Sequence, residues 1–177
     1  MSYIRTKLSL TDKEILGEIY DELEDITIPT TYRSGEKGGN FHAKKTGVKS
    51  QRNARQTVFG TTTFRGKKNK SKSSKDYPYM MGLFREFIDS HYQGFKFKSV
   101  YVNKNTICKK HLDAANAGES LLVGFGKYTG GQTVMYLPNG KEKKFHIKSS
   151  SLIFNGSEIP HKSEPFKGTR YSLVFFN

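Results

Sequence analysis

The chain has no tryptophan, one cysteine and five prolines among its 177 residues. A lone cysteine, Cys108, excludes an internal disulfide and fits a reducing compartment. No apolar run approaches a membrane span, and the opening Met1-Ser-Tyr-Ile-Arg lacks the apolar stretch of a secretion signal. A soluble, intracellular, monomeric protein with no membrane partner is therefore expected. Acids are scarce too, 16 against 30 Lys and Arg, which leaves a net charge of +14. Such an excess points to a polyanionic partner, usually nucleic acid; the competing reading is a basic solubilising surface. Aromatics are plentiful, with 13 Phe and 10 Tyr, so a substantial core is within reach of one domain spanning residues 1–177.

Residues 9–24 read as a helix. Thr11 and Glu14 have capping-box spacing, Leu10 and Ile15 that of a hydrophobic staple, and Ile15, Leu16, Ile19, Tyr20 and Leu23 form an apolar stripe. From Arg33 to Lys75 thirteen basic residues face one acid, Glu36, so this segment carries +12 of the charge. Residues 34–40 and 66–74 are Gly/Ser/Lys-rich and read as flexible. Between them, residues 56–65 are β-prone, either a short strand or an ordered loop. With Tyr32, Phe41, Phe59 and Phe64 interleaved, the segment has the parts for phosphate neutralisation and base stacking. Arg52, Arg55, Lys67, Lys68, Lys70 and Lys72 are its candidate substrate-binding cations, the alternative being a solvated insertion.

A second helix opens at Asp76-Tyr-Pro78 and ends near Gly94, with Met80, Met81, Phe84, Phe87 and Ile88 as its core face. His91, in its last turn, is expected to meet helix-end carbonyls. Beyond Gly94 the period is two. Alternating segments lie at 95–102, 120–125, 132–137, 144–147, 151–154 and 170–176, with tight turns at Tyr128-Thr-Gly-Gly131, Pro138-Asn-Gly140 and Asn155-Gly156. The expected fold is α+β: a jelly-roll core over residues 95–177, buttressed by helices in residues 1–94, into which the basic segment 33–75 is inserted.

Two runs carry the chemistry. Cys108-Lys-Lys-His111-Leu-Asp113-Ala-Ala-Asn116 contains a His-x-Asp, and a lone His161 follows 50 residues later. Side chains at i and i+2 on an extended strand share a side, so His111 and Asp113 can point together. Two histidines and a carboxylate form a facial triad suited to Fe(II), with three coordination positions left open. A 2-oxo acid can chelate at two and dioxygen can take the third. The far carboxylate of 2-oxoglutarate then needs a cation, which Arg170 can supply through its planar fork, with Ser172 on the same side of the strand as an added donor. His-x-Asp or a lone His alone is equally the mark of a surface turn or an ordinary sheet histidine. His146 and His42 have no carboxylate at ligand spacing, and nothing marks Cys108 as a nucleophile.

Residues 95–177 resemble the double-stranded β-helix (cupin-like) 2-oxoglutarate/Fe(II) dioxygenases, and within them the TET/JBP-like nucleobase oxygenases. The resemblance lies in His111-x-Asp113 with Asn116 and Gly118, Gly126-x-Tyr128-x-Gly130-Gly131, and His161-x-x-x-Pro165-x-x-Gly168-x-Arg170-Tyr-Ser-Leu173. It implies iron ligation by His111, Asp113 and His161, and co-substrate anchoring by Arg170 and Ser172 with Tyr101 and Asn103. It implies that Asn116 either contacts the substrate base or orders its loop. Fe(II), 2-oxoglutarate and dioxygen are the implied cofactors, with ascorbate a candidate reductant. The implied reaction oxidises the methyl of 5-methylcytosine or thymine, in DNA more than RNA. The alternative substrate is a prolyl or lysyl side chain in an acidic peptide.

Overall fold

A computed structural model describes residues 3–30, 54–114 and 116–177. Helix α1 spans Leu10–Asp25, with its capping box at Ser9 and Asp12, two residues before the expected Thr11/Glu14 pair. Ser9 is the N-cap: its Oγ accepts from Asp12 N at 3.0 Å and Asp12 Oδ2 accepts from Ser9 N at 2.8 Å. The Thr11/Glu14 spacing is unused as a cap, and Leu10 is 75 % exposed, so no staple forms. The reason is what Asp12 does next. Its Oδ1 accepts from Ser90 Oγ at 2.7 Å, and its Oδ2 lies 2.7 Å from His91 Nδ1.

Strand β1 (Tyr3–Lys7) precedes α1, and the chain resumes in the hairpin β2 (Arg55–Phe64) and β3 (Lys67–Lys70). A short helix α2 (Lys72–Asp76) and the longer α3 (Met80–His91) follow. The remaining strands are β4 (Ser99–Lys104), β5 (Ser120–Gly130), β6 (Thr133–Tyr136), β7 (Glu142–Phe145), β8 (Ser150–Phe154), β9 (His161–Ser163) and β10 (Phe166–Phe176). They form an antiparallel seven-stranded sheet ordered β1-β8-β5-β10-β4-β2-β3 and a three-stranded sheet ordered β7-β6-β9. The double-stranded β-helix expectation holds.

Two expectations are corrected. Residues 66–74 are not flexible: β3 pairs with β2 from Thr61↔Lys70 to Phe64↔Lys67, and Ser71 caps α2 by accepting from Ser74 N. The N-terminal half is not only helical support, since β1, β2 and β3 complete the larger sheet. β1 was hidden because it covers five residues, with none buried and no alternation; β3 because lysine runs read as solvated loop, although an edge strand needs no apolar face. The Phe95–Val102 alternation becomes strand only from Ser99.

One face of the large sheet carries Phe59, Val100, Val102, Leu121, Val123, Phe125, Leu173 and Phe175, all buried beneath α1 and α3. Phe84 of α3 meets Phe59 and Phe175 edge-on, with ring centroids 5.4 and 6.2 Å apart. His91 joins both helices to this sheet. Its Nδ1 meets Asp12 and its Nε2 lies 2.6 Å from Ser151 Oγ on β8, so it does not cap helix-end carbonyls. The His91 and Asp12 side chains are 1 % and 3 % exposed. Such a buried pair gains little over an apolar pair, but losing one partner strands the other.

Burial pushes the Asp12 carboxyl up, and hydrogen bonds from Ser9, Ser90 and His91 outweigh it, leaving it below its ordinary value. A depressed carboxyl stabilises the fold above its unfolded-state value and loses that contribution as pH falls through its folded value. We expect Asp12→Ala to lower unfolding free energy by about 3 kcal/mol at neutral pH, measured by urea denaturation. The wild-type advantage over Asp12→Asn should shrink below the ordinary carboxylate range.

Candidate metal centre and its cavity

The other face of the large sheet is polar where it approaches the small sheet. Gln56, Tyr101, Asn103, Ser120, Arg170 and Ser172 face a cavity of about 830 Å3, whose opposite wall includes Thr133, His161 and Ser163. His111, Asp113 and Asn116 line the same space, as do Thr106 and Cys108. All the residues expected to hold metal and co-substrate thus share one cavity.

The histidines are placed by a single backbone bridge. His111 N donates to His161 O at 3.0 Å, and His161 N to His111 O at 3.1 Å. Each ring is then oriented by a carbonyl, His111 Nδ1 lying 2.7 Å from Lys109 O and His161 Nδ1 2.9 Å from Ile159 O. A carbonyl only accepts, so each Nδ1 carries the hydrogen and each Nε2 is left to face Asp113. Those nitrogens lie 3.2 Å from Asp113 Oδ1 and Oδ2 respectively. The three side chains offer ligand atoms within 4.8 Å of one another.

Neutral imidazoles would aim two lone pairs at a carboxylate, an arrangement that repels unless a cation lies between. Protons can serve: burial pushes the Asp113 carboxyl up, but hydrogen bonds from His111 and His161 and their charge hold it well below the usual range. A divalent metal serves the same need, and the donor set of two imidazole nitrogens and a carboxylate oxygen suits Fe(II).

Asp113 N donates to Gly156 O at 2.9 Å. A Cβ on Gly156 would stand 2.6 Å from Asp113 Oδ2. The Asn155-Gly156 turn therefore also makes room for the carboxylate, a role that sequence could not signal because the contact is 43 residues long-range.

Arg170 closes one end. It is 3 % exposed, and its Nη2 donates to Gly131 O at 3.2 Å. Its Nε has no hydrogen-bond partner and no carboxylate pairs with it among the described residues, though its guanidinium carbon lies 5.7 Å from the Tyr128 ring centroid. Burial works against its charge. A buried guanidinium without an acid is costly unless an anion joins it. Gly131, at φ +65°, turns the chain from β5 into β6, and a Cβ there would lie 2.8 Å from Arg170 Nε. The Arg170 backbone is clamped by Asn105, whose N donates to Arg170 O at 2.7 Å and whose Oδ1 accepts from Arg170 N at 2.8 Å. Asn105 holds φ +54°, a conformation asparagine tolerates, and sequence gave it no mark.

Asn116 faces the cavity and also orders its loop: Asn116 N donates to Asp113 O at 3.1 Å and its Nδ2 to Ser120 Oγ at 3.4 Å. The basic candidates lie elsewhere. Arg55 donates to Ile28 O at 2.7 Å, Lys72 pairs with Asp76 at 2.5 Å, and Lys67, Lys68 and Lys70 are exposed on β3. None lines the cavity. Arg52 lies outside the described residues. Two cations that sequence did not single out do line it: Lys110 and Lys162, whose Nζ atoms lie 4.0 and 5.9 Å from the Tyr136 ring centroid. No helix among the described residues is long and apolar enough to cross a membrane.

No family model and no curated protein matches the sequence. Solved structures do match in fold. A Pseudomonas putida prolyl-4-hydroxylase aligns with TM-score 0.54 and 15 % identity, over 99 % of this chain and 91 % of its own. An oxidoreductase of the 2OG-Fe(II) oxygenase family from Burkholderia pseudomallei aligns with TM-score 0.63 and 13 % identity, over 98 % and 84 %. NgTET1 in complex with 5mC DNA aligns with TM-score 0.59 and 12 % identity, over 98 % and 70 %. The chain shares the double-stranded β-helix of these proteins.

Gly156→Ala should weaken divalent metal binding by about 10- to 100-fold, as loss of ligand support does elsewhere, with the melting temperature largely kept. Calorimetric titration with Mn(II) measures it.

Proposed function

We propose that the chain is a single-domain 2-oxoglutarate- and Fe(II)-dependent oxygenase acting on a nucleobase, with the methyl of 5-methylcytosine or thymine as the reacting group. One observation carries the reaction class. A cavity of about 830 Å3 holds both a cation-demanding His111/Asp113/His161 cluster and the anion-demanding Arg170. A metal-chelating acid with a distal carboxylate satisfies both at once. Iron bound by the triad would supply the activation of dioxygen for hydroxylation. Arg170 and Ser172 hold the far carboxylate, Tyr101 and Asn103 bound the co-substrate, and Asn116 meets the substrate. The solved structures of like fold that are named as oxygenases or hydroxylases support this reading.

Charge supports the nucleic-acid substrate. Lys110 and Lys162 stand at the cavity beside Tyr136, while Leu112, between the two triad residues of its run, is 47 % exposed. The β2–β3 hairpin adds Lys67, Lys68 and Lys70. From Gln56, opposite Asn103, β2 runs past Ser99 toward the sheet end where Ala117 N is bonded to Asn177 O. That is the end away from Arg170, and the exposed lysines of β3 add positive charge there. A paired base must leave its stack to reach the triad. The fold likeness to NgTET1 with 5mC DNA agrees with this choice. The second reading, a prolyl or lysyl hydroxylase, draws on the prolyl-4-hydroxylase matched over 91 % of its length.

Anaerobic loading with Fe(II), then 2-oxoglutarate turnover against methylated DNA, thymine DNA, RNA and peptide pools, tests the proposal. We expect turnover coupled to a methyl-bearing nucleic acid, and its loss in Asp113→Ala and Arg170→Leu. Coupling to peptide alone would select the hydroxylase reading; no iron-dependent turnover at all would refute both. Lys110→Ala with Lys162→Ala should lower the slope of log affinity against log salt for duplex DNA by about two, measured by fluorescence anisotropy.

A further inference from the structure

Gln56 carries no mark in the sequence. In the fold it lies opposite Asn103, which lies opposite Ser172, so three polar side chains form a row across β2, β4 and β10. All three face the cavity that holds Arg170. Gln56 Nε2 donates to Asn103 Oδ1 at 2.6 Å, and Asn103 Nδ2 donates to Ser172 Oγ at 3.4 Å.

This row has a direction. A side-chain amide accepts at its oxygen and donates at its nitrogen. Once Gln56 occupies the Asn103 oxygen, the Asn103 nitrogen is turned toward Ser172. Ser172 then accepts, and its one hydroxyl hydrogen must be donated elsewhere. Two residues along the same strand face, Arg170 is a buried cation that cannot accept it. The hydrogen is thus available to an anion that Arg170 would hold.

We infer that Gln56 is a positioning residue: it sets the polarity of a Gln56–Asn103–Ser172 donor relay, so that the far carboxylate of 2-oxoglutarate meets a hydroxyl donor beside the guanidinium. The inference rests on the proposed co-substrate. Gln56→Glu reverses the relay, because a carboxylate only accepts. Asn103 then turns its nitrogen toward position 56 and its oxygen toward Ser172, which donates backwards and shows its lone pairs to the ligand.

The test is calorimetry on the full chain loaded with Mn(II), titrated with 2-oxoglutarate and with pyruvate, a 2-oxo acid without the far carboxylate. Gln56→Glu should weaken 2-oxoglutarate about tenfold or more, as expected for a hydrogen bond to a charged group, and leave pyruvate unchanged. Gln56→Met, which removes the bias without reversing it, should weaken 2-oxoglutarate less. In a Ser172→Ala background Gln56→Glu should have no further effect, whereas simple charge repulsion would persist there. Unchanged 2-oxoglutarate affinity, equal losses for both acids, or an effect surviving Ser172→Ala would overturn the relay. Should Gln56→Glu melt early, Gln56→Met decides the matter alone through its ratio of 2-oxoglutarate to pyruvate affinity. Wild-type protein that binds neither acid would instead overturn the co-substrate reading itself.

Discussion

Two hydrogen bonds between His111 and His161 hold the site in register. They connect an irregular segment after β4 to the edge of the small sheet, so the ring positions are set by backbone rather than by side-chain packing. Everything in the centre follows from that bridge. The carbonyls of Lys109 and Ile159 can orient the two rings only once the strands are fixed, and Asp113 reaches both Nε2 atoms only from its anchorage on Gly156. Moving the bridge by one residue would turn a histidine to the opposite face of its strand.

The cavity is an electrostatic compromise between two incomplete halves. Two imidazoles converge on one carboxylate in one part, and a buried guanidinium with no paired acid among the described residues lies in another. Neither half is a comfortable arrangement in a protein interior, and each would be cheaper to replace by apolar side chains. Their coexistence in one space is what the proposed metal-chelating acid would satisfy. The sheets around it are built to tolerate this, since the core of Phe59, Phe84, Phe87 and Phe175 lies on the opposite face of the large sheet.

Much of this was legible in the sequence where chemistry coincided with periodicity. His-x-Asp and Arg-x-Ser place both members of each pair on one side of an extended chain, and β5, β6, β7, β8 and β10 show themselves by alternation, whereas the three residues of β9 do not. Legibility failed where a role depends on a distant partner. Asp12 carries no mark in the sequence, yet His91 and Ser90 make it a buried hub. Gly156 looked like a turn residue, and Gln56 like any polar residue of a strand, until Asp113 and Asn103 were set against them. The lysines of β3 misled for a different reason: charge density argued for loop, while backbone pairing to β2 was invisible in composition.

Those same lysines have a consequence for how copies of the chain meet. Among the described residues the large sheet ends in β1 and β3, with nothing paired beyond either. An open strand offers unpaired amides and carbonyls to any similar strand, the usual start of sheet-to-sheet aggregation. Here one border carries exposed Arg5 and Lys7 and the other exposed Lys67, Lys68 and Lys70. Two copies approaching border to border bring like charges into register before a hydrogen bond can form. The positive surplus at these two described margins thus works against growth of the sheet into a ribbon.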